Sequence, residues 1–187
     1  TTLASNVTID TTNGGTAAAG GLVSFSSTLD SDSTTRNLTV RAGTEGNVAF
    51  GGLVGNTHAL GDVTIVSAKD VTTSGMKATS FTQQAGAGKT TLGGTNTFSG
   101  GAFAFTGNEL AINGTLTANS ATITNAGLFS TGSGSNITAA GGFVQNGAGT
   151  AQLAGNITTT GTNIGFANAV TVSGSVALST GAAGNGN

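Results

Sequence analysis

Apolar residues alternate with small or polar residues across residues 21–68, and the alternation is written twice, 25 positions apart. The matched apolar pairs are Val23 with Val48, Phe25 with Phe50, Leu38 with Val63, and Val40 with Ile65. A period of two is typical of β-strands that bury one face. Gly, Asn, Asp, Ser and Thr fill the intervals, and these residues favour turns. The stretch therefore predicts short strands joined by tight turns.

A unit of this length cannot bury its own apolar face, because it supplies only two or three short strands. Copies that stack along one axis solve this problem, since each strand pairs with the strands above and below and the apolar residues form a continuous core. The sequence therefore predicts an all-β fold. We expect a single-stranded parallel β-solenoid of roughly eight coils of 20–25 residues, with about 4.8 Å between coils.

A second repeat, of 60 to 62 residues, occupies the rest of the chain. The matched positions are Phe81 with Phe143, Leu92 with Leu153, Phe103 with Ile164, and Leu110 with Val170. This period equals three coils of about 20 residues, so the coils shorten along the chain. We expect one array over residues 1–187, with coils of about 25 residues in 1–68 and of about 20 residues in 69–187.

The C-terminal stretch repeats an earlier pattern. Residues 176–185 resemble residues 38–47, which lie 138 positions earlier, and neither end of the array carries a polar capping pattern. An uncapped solenoid presents a strand edge that can template pairing with another chain. We therefore expect a segment of a longer array, or a subunit that associates with copies of itself head to tail or side by side.

Charge is scarce and unevenly placed. Charged residues make up 6% of the chain, Glu109 is the last of them, and all five cations lie between Arg36 and Lys89. This distribution provides no basic patch for nucleic acid. The absence of cysteine excludes disulfides and thiolate metal sites, and no apolar run is long enough to span a bilayer. We expect no cofactor, no nucleic-acid partner and no membrane insertion.

Residues capable of nucleophilic catalysis or metal binding are few. His58, the only histidine, lies in a predicted turn without a recognisable triad or metal-ligand set. Asp30 and Asp32 have the Asp-x-Asp spacing of some calcium loops, but calcium needs six to eight oxygen ligands and no third carboxylate lies close by. We interpret all three as turn residues.

The remaining acids are scattered, whereas a polysaccharide lyase or hydrolase needs several that converge. Asp10, Arg41 and Glu45 can meet on stacked coils, where we expect surface ion pairs. The sequence therefore predicts that the protein is not an enzyme and has no catalytic, cofactor-binding or metal site.

Repeated hydroxyls and amides are the other candidate chemistry. Thr-x-Thr pairs occur at Thr95/Thr97, Thr115/Thr117, Thr122/Thr124 and Thr158/Thr160. Their spacings of 20, 7 and 36 residues predict that they do not recur at one coil position, so no flat ice-binding plane is expected. Asn-x-Ser/Thr triplets begin at Asn6, Asn37, Asn113, Asn136 and Asn156. We expect these amides to form ladders at turns rather than to accept glycans.

The strings at residues 37–43, 46–52 and 59–65 resemble the repeats of large bacterial surface proteins. These are the filamentous-haemagglutinin-like and autotransporter-like adhesins with β-strand repeats, and the resemblance covers nearly the whole chain. It implies a right-handed parallel β-helix, secretion to the cell surface, and a stalk, adhesive or matrix role. The family's proline-containing secretion domain and its translocator barrel are absent from this sequence, which contains no proline.

These observations together favour a non-catalytic structural protein, an extracellular fibre or stalk at the bacterial cell surface. Its expected partners are copies of itself, with host or matrix glycan as a further possibility. The alternative is a ligand-binding β-solenoid, either a glycan-binding adhesin or an ice-binding protein. A groove with clustered aromatics and amides would favour glycan, and a flat plane of threonines would favour ice.

Overall fold

The structure is a computed structural model that describes residues 1–181 of the 187. These residues form β-strands and no helix. In chain order the strands are β1 (Thr2–Leu3), β2 (Val7–Asp10), β3 (Val23–Phe25), β4 (Asp30–Ser31), β5 (Leu38–Arg41), β6 (Val48–Phe50), β7 (Leu60–Ser67), β8 (Val71–Thr73), β9 (Met76–Gln83), β10 (Lys89–Leu92), β11 (Thr95–Gly107), β12 (Glu109–Ile112), β13 (Thr115–Asn125), β14 (Phe129–Thr131), β15 (Asn136–Ala139), β16 (Phe143–Gln145), β17 (Ala151–Leu153), β18 (Asn156–Thr158), β19 (Ile164–Phe166), β20 (Val170–Val172) and β21 (Leu178–Ser179). Because this part of the chain contains no helix, it contains none that could cross a membrane.

The strands stack into parallel sheets that run the length of the molecule. One sheet has eight strands in the order β20-β17-β14-β12-β10-β8-β6-β3. A larger sheet has eleven, following the path β2-β5-β7-β9-β11-β13-β15-β18-β21 with β16 and β19 beside it, and β1 pairs with β4. The chain makes about seven turns, so the predicted all-β parallel β-solenoid is confirmed. The right-handed winding implied by the resemblance stays a prediction.

Three long strands divide the larger sheet into two segments. In β9, residues 76–78 pair with residues 96–98 of β11, and residues 81–83 pair with residues 103–105. The register shifts between Phe98 and Phe103, where Gly100 adopts a φ of 84°. Glycine reaches this conformation without the steric cost that other residues bear. The coils built from these long strands therefore present two outward surfaces from this sheet and a third from the eight-stranded sheet.

The strand register confirms both sequence repeats. Val23 pairs with Val48 and Phe25 pairs with Phe50, as the 25-residue repeat predicts. Leu38 with Val63 and Val40 with Ile65 are likewise direct partners. In the longer repeat, three coil steps lead from Phe81 through Phe103 and Ala121 to Phe143. Sequence similarity at these spacings therefore reports contact between stacked coils.

The predicted match between residues 176–185 and 38–47 is wrong in register. Leu178 pairs with Ile157, in a column that continues to Ile137. The column of Val40 is a different one and continues through Ile65. All faces of the solenoid need the same inward and outward alternation, so alternation alone does not distinguish them. Residues 182–185 of the proposed match lie outside the described part of the chain.

The core is a set of apolar columns, and phenylalanines supply its largest members. The rings of Phe25 and Phe50 stack with centroids 5.4 Å apart and an interplanar angle of 1°, as predicted. Phe81, Phe98 and Phe103 form a three-ring cluster with centroid distances of 5.4 to 5.8 Å. Burying one such side chain stabilises the fold by about 1.5–3 kcal/mol. These inward columns fix which residues of every strand face solvent.

Candidate binding surface: the Thr–Asn face

Two columns of polar side chains lie next to each other on the outside of β11, β13, β15 and β18. The first column is Thr97, Thr117, Thr138 and Thr158. The second is Thr95, Thr115, Asn136 and Asn156. We call these eight residues the Thr–Asn face. Every coil of the face presents one threonine and one threonine or asparagine at the same two positions.

The inward side chains between the two columns hold this face in place. They are Asn96, Leu116, Ile137 and Ile157, each at most 1% exposed. Asn96 is a polar residue in this position, and its Nδ2 donates to the carbonyl oxygens of Gly93 at 2.9 Å and Thr115 at 3.2 Å. Parallel strands repeat about every 4.8 Å across the sheet, and alternate residues along a strand lie about 6.6 Å apart. The outward groups therefore form a regular grid.

The threonine hydroxyls of the face are unused by the protein. Within residues 1–181, none of the six makes a hydrogen bond to another protein group, whereas Thr131 Oγ1 accepts from two backbone amides and Thr90 Oγ1 donates to Gln83. The amides differ. Asn156 Nδ2 donates to Asn136 Oδ1 at 3.1 Å, and Asn156 Oδ1 accepts from the backbone nitrogen of Ala177 at 2.9 Å. The face thus combines free hydroxyls with amides held in fixed orientations.

The expectation that Thr-x-Thr pairs do not recur at one coil position is wrong for two of the four. Thr95/Thr97 and Thr115/Thr117 lie side by side on adjacent coils. Asparagine replaces the first threonine in the next two coils, which hides the continuity from a search for identical pairs. Thr122/Thr124 lies on the second segment of β13 and belongs to another surface. The spacings along the chain therefore combine pairs that lie on two different surfaces.

A half-enclosed pocket of about 480 Å³ adjoins one end of the face. Its lining includes Leu53, Asn56, Lys77 and Thr95. Leu53 is 43% exposed, an unusual state for a large apolar side chain in this molecule. Lys77 is the strand partner of Thr97 and so heads the first column. Among the described residues, Lys77 has no carboxylate within ion-pair distance.

A second, more open groove of about 680 Å³ crosses the turns of four coils. Gln84, Thr106, Asn108, Thr124 and Asn125 contribute its polar groups, and glycines and alanines form the rest of the lining. No aromatic side chain lines it, because the phenylalanines nearby are in the core. The groove therefore has the amides but not the aromatics expected of a glycan groove.

Buried side-chain amides lie behind this groove, and they were not predicted from the sequence. Gln145 Nε2 donates to Asn125 Oδ1 at 2.6 Å and to the carbonyl oxygen of Gly149 at 3.0 Å. Gln83 Oε1 accepts from Thr90 Oγ1 at 2.8 Å. A signal was present, because Phe81-x-Gln83 and Phe143-x-Gln145 repeat in sequence and a period of two places both glutamines on the buried side. Glutamine is usually an exposed residue, but its position in the alternation places it inside here.

Of the residues singled out for possible metal binding, Asp32 and His58 lie between strands as predicted, whereas Asp30 is the first residue of strand β4 and not a turn residue. Asp30 Oδ1 accepts from the backbone nitrogens of Thr57 at 2.8 Å and His58 at 3.4 Å. Asp32 accepts two hydrogen bonds from Arg36, at 2.9 and 2.7 Å. These bonds hold the pKa of the Asp32 carboxyl below its usual range. Within residues 1–181, no three His, Cys, Asp or Glu side chains lie together as metal ligands would.

Asp10, Arg41 and Glu45 divide into separate surface ion pairs, as expected. Arg41 Nε lies 3.7 Å from Asp10 Oδ2, whereas Glu45 Oε2 lies 3.2 Å from Lys69 Nζ. The hydrogen bond from the Thr12 hydroxyl, followed by that from the Thr12 backbone nitrogen, lowers the pKa of Asp10. These charges therefore orient turns on neighbouring coils.

The predicted amide ladders are confirmed at two places. Asn6 Oδ1 accepts from the backbone nitrogen of Asn37 at 3.0 Å, and Asn37 Oδ1 accepts from that of Asp62 at 2.8 Å. The Asn136–Asn156 contact is the second ladder, but it joins the first residues of strands β15 and β18 and not two turns as predicted. Each of these amides links one coil to the next.

The chain is assigned to a class of structure by its fold alone. Comparisons with protein-family models, with curated proteins and with solved structures find no match. The chain is thus placed by its architecture, a parallel β-solenoid of about seven turns.

Proposed function

We propose that this chain is a non-catalytic rod, a section of a fibre or stalk on the bacterial cell surface, of the filamentous-haemagglutinin-like kind. The observation that carries the proposal is the unbroken parallel ladder of eight strands from β3 to β20. In a solenoid each coil contacts only its neighbours, so length is added without a change of fold. The sequence resemblance supports the extracellular location.

The rod is built to resist bending and unfolding. Backbone hydrogen bonds join each coil to the next on every face, and the apolar columns run through the whole stack. Turn side chains add further links, as Asp70 Oδ1 does by accepting from the backbone nitrogen of Lys89 at 2.8 Å. A load applied along such a molecule is shared by many bonds, which suits a stalk.

Apolar exposure on the last described coil supports self-association. Val172 is 56% exposed and Leu178 is 50% exposed, whereas their strand partners one coil earlier, Leu153 and Ile157, are 0% exposed. A coil stacked on this edge would bury both side chains, and each would contribute about 1.5–3 kcal/mol. The uncharged stretch after Glu109 lacks the lysines that usually protect strand edges. We propose that another copy covers this edge.

Electron microscopy and sedimentation of the purified 187-residue chain test the proposal. We expect filaments with an axial strand spacing of about 4.8 Å, because joined ends continue the ladder. Isolated rods roughly 35 Å long are expected if this edge is covered by further coils of a longer chain. Compact monomers without elongation, at all concentrations, would contradict the rod function.

A charged substitution at the exposed edge sharpens the test. Val172→Lys places a cation on that edge and should reduce end-to-end association. Val144→Lys is the matched control, because Val144 is 41% exposed on the side of the stack and is not on the terminal coil. Equal association of both variants and the parent chain would argue against joining through this edge.

A second candidate function is ligand binding. The Thr–Asn face favours it, because it aligns outward threonines of successive coils, and repeated outward threonines are what an ice-binding plane requires. The open groove and the Thr–Asn face both lack the aromatic side chains expected of a glycan groove, so the apolar contact to a sugar ring would have to come from Leu53 in the adjoining pocket.

A further inference from the structure

We infer that the Thr–Asn face and the pocket at its Lys77 end form one site, which binds a neutral linear polysaccharide lying along the solenoid axis. This inference rests on the second candidate function, ligand binding, and does not depend on the rod function. The site is defined by the eight residues of the face together with Leu53, Asn56 and Lys77 of the pocket.

The first support is that the hydroxyls of the face are available and rigid. Six threonine hydroxyls have no partner within the described protein, so a ligand meets their full hydrogen-bonding capacity. Threonine is β-branched and has few χ1 rotamers, and the strands that carry these residues are anchored by the core. Little conformational entropy is therefore lost when a ligand binds.

The second support is repetition. Four successive coils offer the same two positions, which suits a polymer whose own polar groups repeat. A contact that is weak on one coil becomes strong when several coils are engaged by one chain, because the later contacts are intramolecular. A small isolated ligand would gain no such advantage.

The third support is the pocket, which closes one end of the Thr–Asn face. Leu53 provides an exposed apolar wall, and Asn56, Lys77 and Thr95 supply polar groups around it. An apolar wall with a few convergent polar groups is typical of small-molecule sites and suits the C–H face and hydroxyls of one sugar ring. Lys77 has three donor hydrogens and, among the described residues, no carboxylate partner.

The mixed character of the surface favours polysaccharide over ice. Asn136 and Asn156 interrupt the threonine grid with amides, which donate and accept as sugar hydroxyls do. The pocket and the ammonium group of Lys77 also break the plane at one end. Residues 110–187 carry no charged side chain, and Lys77 is the only charged residue of the site. A polymer with an anion on every unit would meet one cation at the end of the face and none along it, so the face suits a neutral polymer.

The chain contains its own matched control, a second threonine column on a different surface. Thr8, Thr39, Thr64 and Thr82 are in register on β2, β5, β7 and β9. It too has a polar column two residues earlier on each strand, Asn6, Asn37, Asp62 and Ser80, but that column contains a carboxylate, and Asp10 and Arg41 lie on the other side of the threonines. Threonine content, strand position and a second polar column are therefore matched, whereas the surrounding charges and the pocket are not.

The test is binding of the full chain to insoluble cellulose and chitin and to soluble xylan and dextran, by pull-down and affinity electrophoresis. We expect binding to at least one of them. The variant Thr97→Val/Thr117→Val/Thr138→Val should bind at least about tenfold more weakly, because three hydroxyl contacts are lost while the β-branched shape is kept. The control Thr39→Val/Thr64→Val/Thr82→Val should bind as the parent chain does. Circular dichroism verifies that both variants are folded.

Two further variants make the outcome specific. Serine in place of the same three face threonines keeps the hydroxyls and should retain most of the binding. Lys77→Gln should weaken binding by about threefold to tenfold, because one charged donor is lost at the end of the Thr–Asn face. Equal loss in the control column would overturn the assignment to the Thr–Asn face.

The remaining outcomes separate this inference from its rivals and from the rod function. Absence of binding to all four polysaccharides would overturn it, and filaments in the microscope would still support the rod. Inhibition of ice recrystallisation that disappears in the face variant but persists in the control would replace polysaccharide with ice as the ligand. Binding that persists unchanged in the face variant would place the site elsewhere.

Discussion

The coils before and after Glu109 connect their turns with different chemistry. In the first region carboxylates accept from backbone nitrogens alongside amides such as that of Asn37, as Asp10 does from Thr12 at 2.7 Å and Asp30 from Thr57 at 2.8 Å. In the second region neutral groups do the same work. Thr131 Oγ1 accepts from Gly155 at 3.0 Å, and Asn156 Oδ1 accepts from Ala177 at 2.9 Å. Charge is thus unnecessary for holding the coils together.

Hydrogen bonding of the backbone, not ion pairing, therefore determines what a solenoid turn requires. A buried or half-buried turn amide needs an acceptor, and a carboxylate, an amide or a hydroxyl can each provide one. The choice among them has other consequences. Carboxylates make the first region sensitive to pH and salt, whereas the second region has a surface without electrostatic repulsion. The Thr–Asn face lies mainly on the second.

The largest expected effect tests the core that both regions share. Phe103→Ala removes a ring that is 0% exposed and contacts Phe81 and Phe98, so we expect a loss of about 3–5 kcal/mol in the free energy of unfolding. Phe25→Ala should cost less, because Phe25 is half-buried on the first strand of its sheet. Urea denaturation measures both. Equal losses would mean that the core is uniform along the rod.

An intermediate effect is expected at the neutral turns. Gln145→Leu leaves Asn125 Oδ1 and the carbonyl oxygen of Gly149 without their donor, which should cost about 1–3 kcal/mol at any pH. Gln152→Leu is the control, since Gln152 is exposed and should change stability by less than about 0.5 kcal/mol. A loss confined to acidic pH would contradict the neutral character of this turn.

The smallest expected effect is a pH dependence confined to the first region. The folded-state pKa values of Asp10 and Asp32 are lowered, by the Thr12 and Arg36 hydrogen bonds respectively. Their stabilisation is therefore fully present above the unfolded pKa of about 3.9 and is lost as pH falls through the folded values. We expect amide NMR signals of residues 1–42 to respond to acid before those of residues 110–181.

A variant provides the control for this titration. Asp32→Asn should weaken the turn at neutral pH and remove its share of the acid response, because the amide does not titrate. Both carboxylates lie at the surface, Asp10 exposed and Asp32 half-buried, so the effect on total stability is small. An acid response of equal size in residues 110–181, which contain no titratable side chain, would contradict the assignment to these carboxylates.

The sequence predicted the fold better than it predicted the candidate site. Coil-to-coil pairs such as Phe25 with Phe50 follow from the repeat, because stacked positions face the same environment and keep similar residues. The Thr–Asn face was missed, because Asn136 and Asn156 stand where a search for Thr-x-Thr expects threonine. Strand pairing in the core determines which outward residues are neighbours. An outward column of mixed residue types is therefore recognised only once the pairing is known.

What the sequence determined by itself is the class of structure. Period-two alternation, short repeats and turn residues admit few solutions other than stacked parallel strands. The tertiary structure decided which strand belongs to which face of the solenoid. It places Leu178 over Ile157 rather than in the column of Val40, and it buries Gln145. Each decision depends on turn geometry and side-chain fit between coils, which are long-range properties. A local pattern repeats identically on every face and cannot encode them.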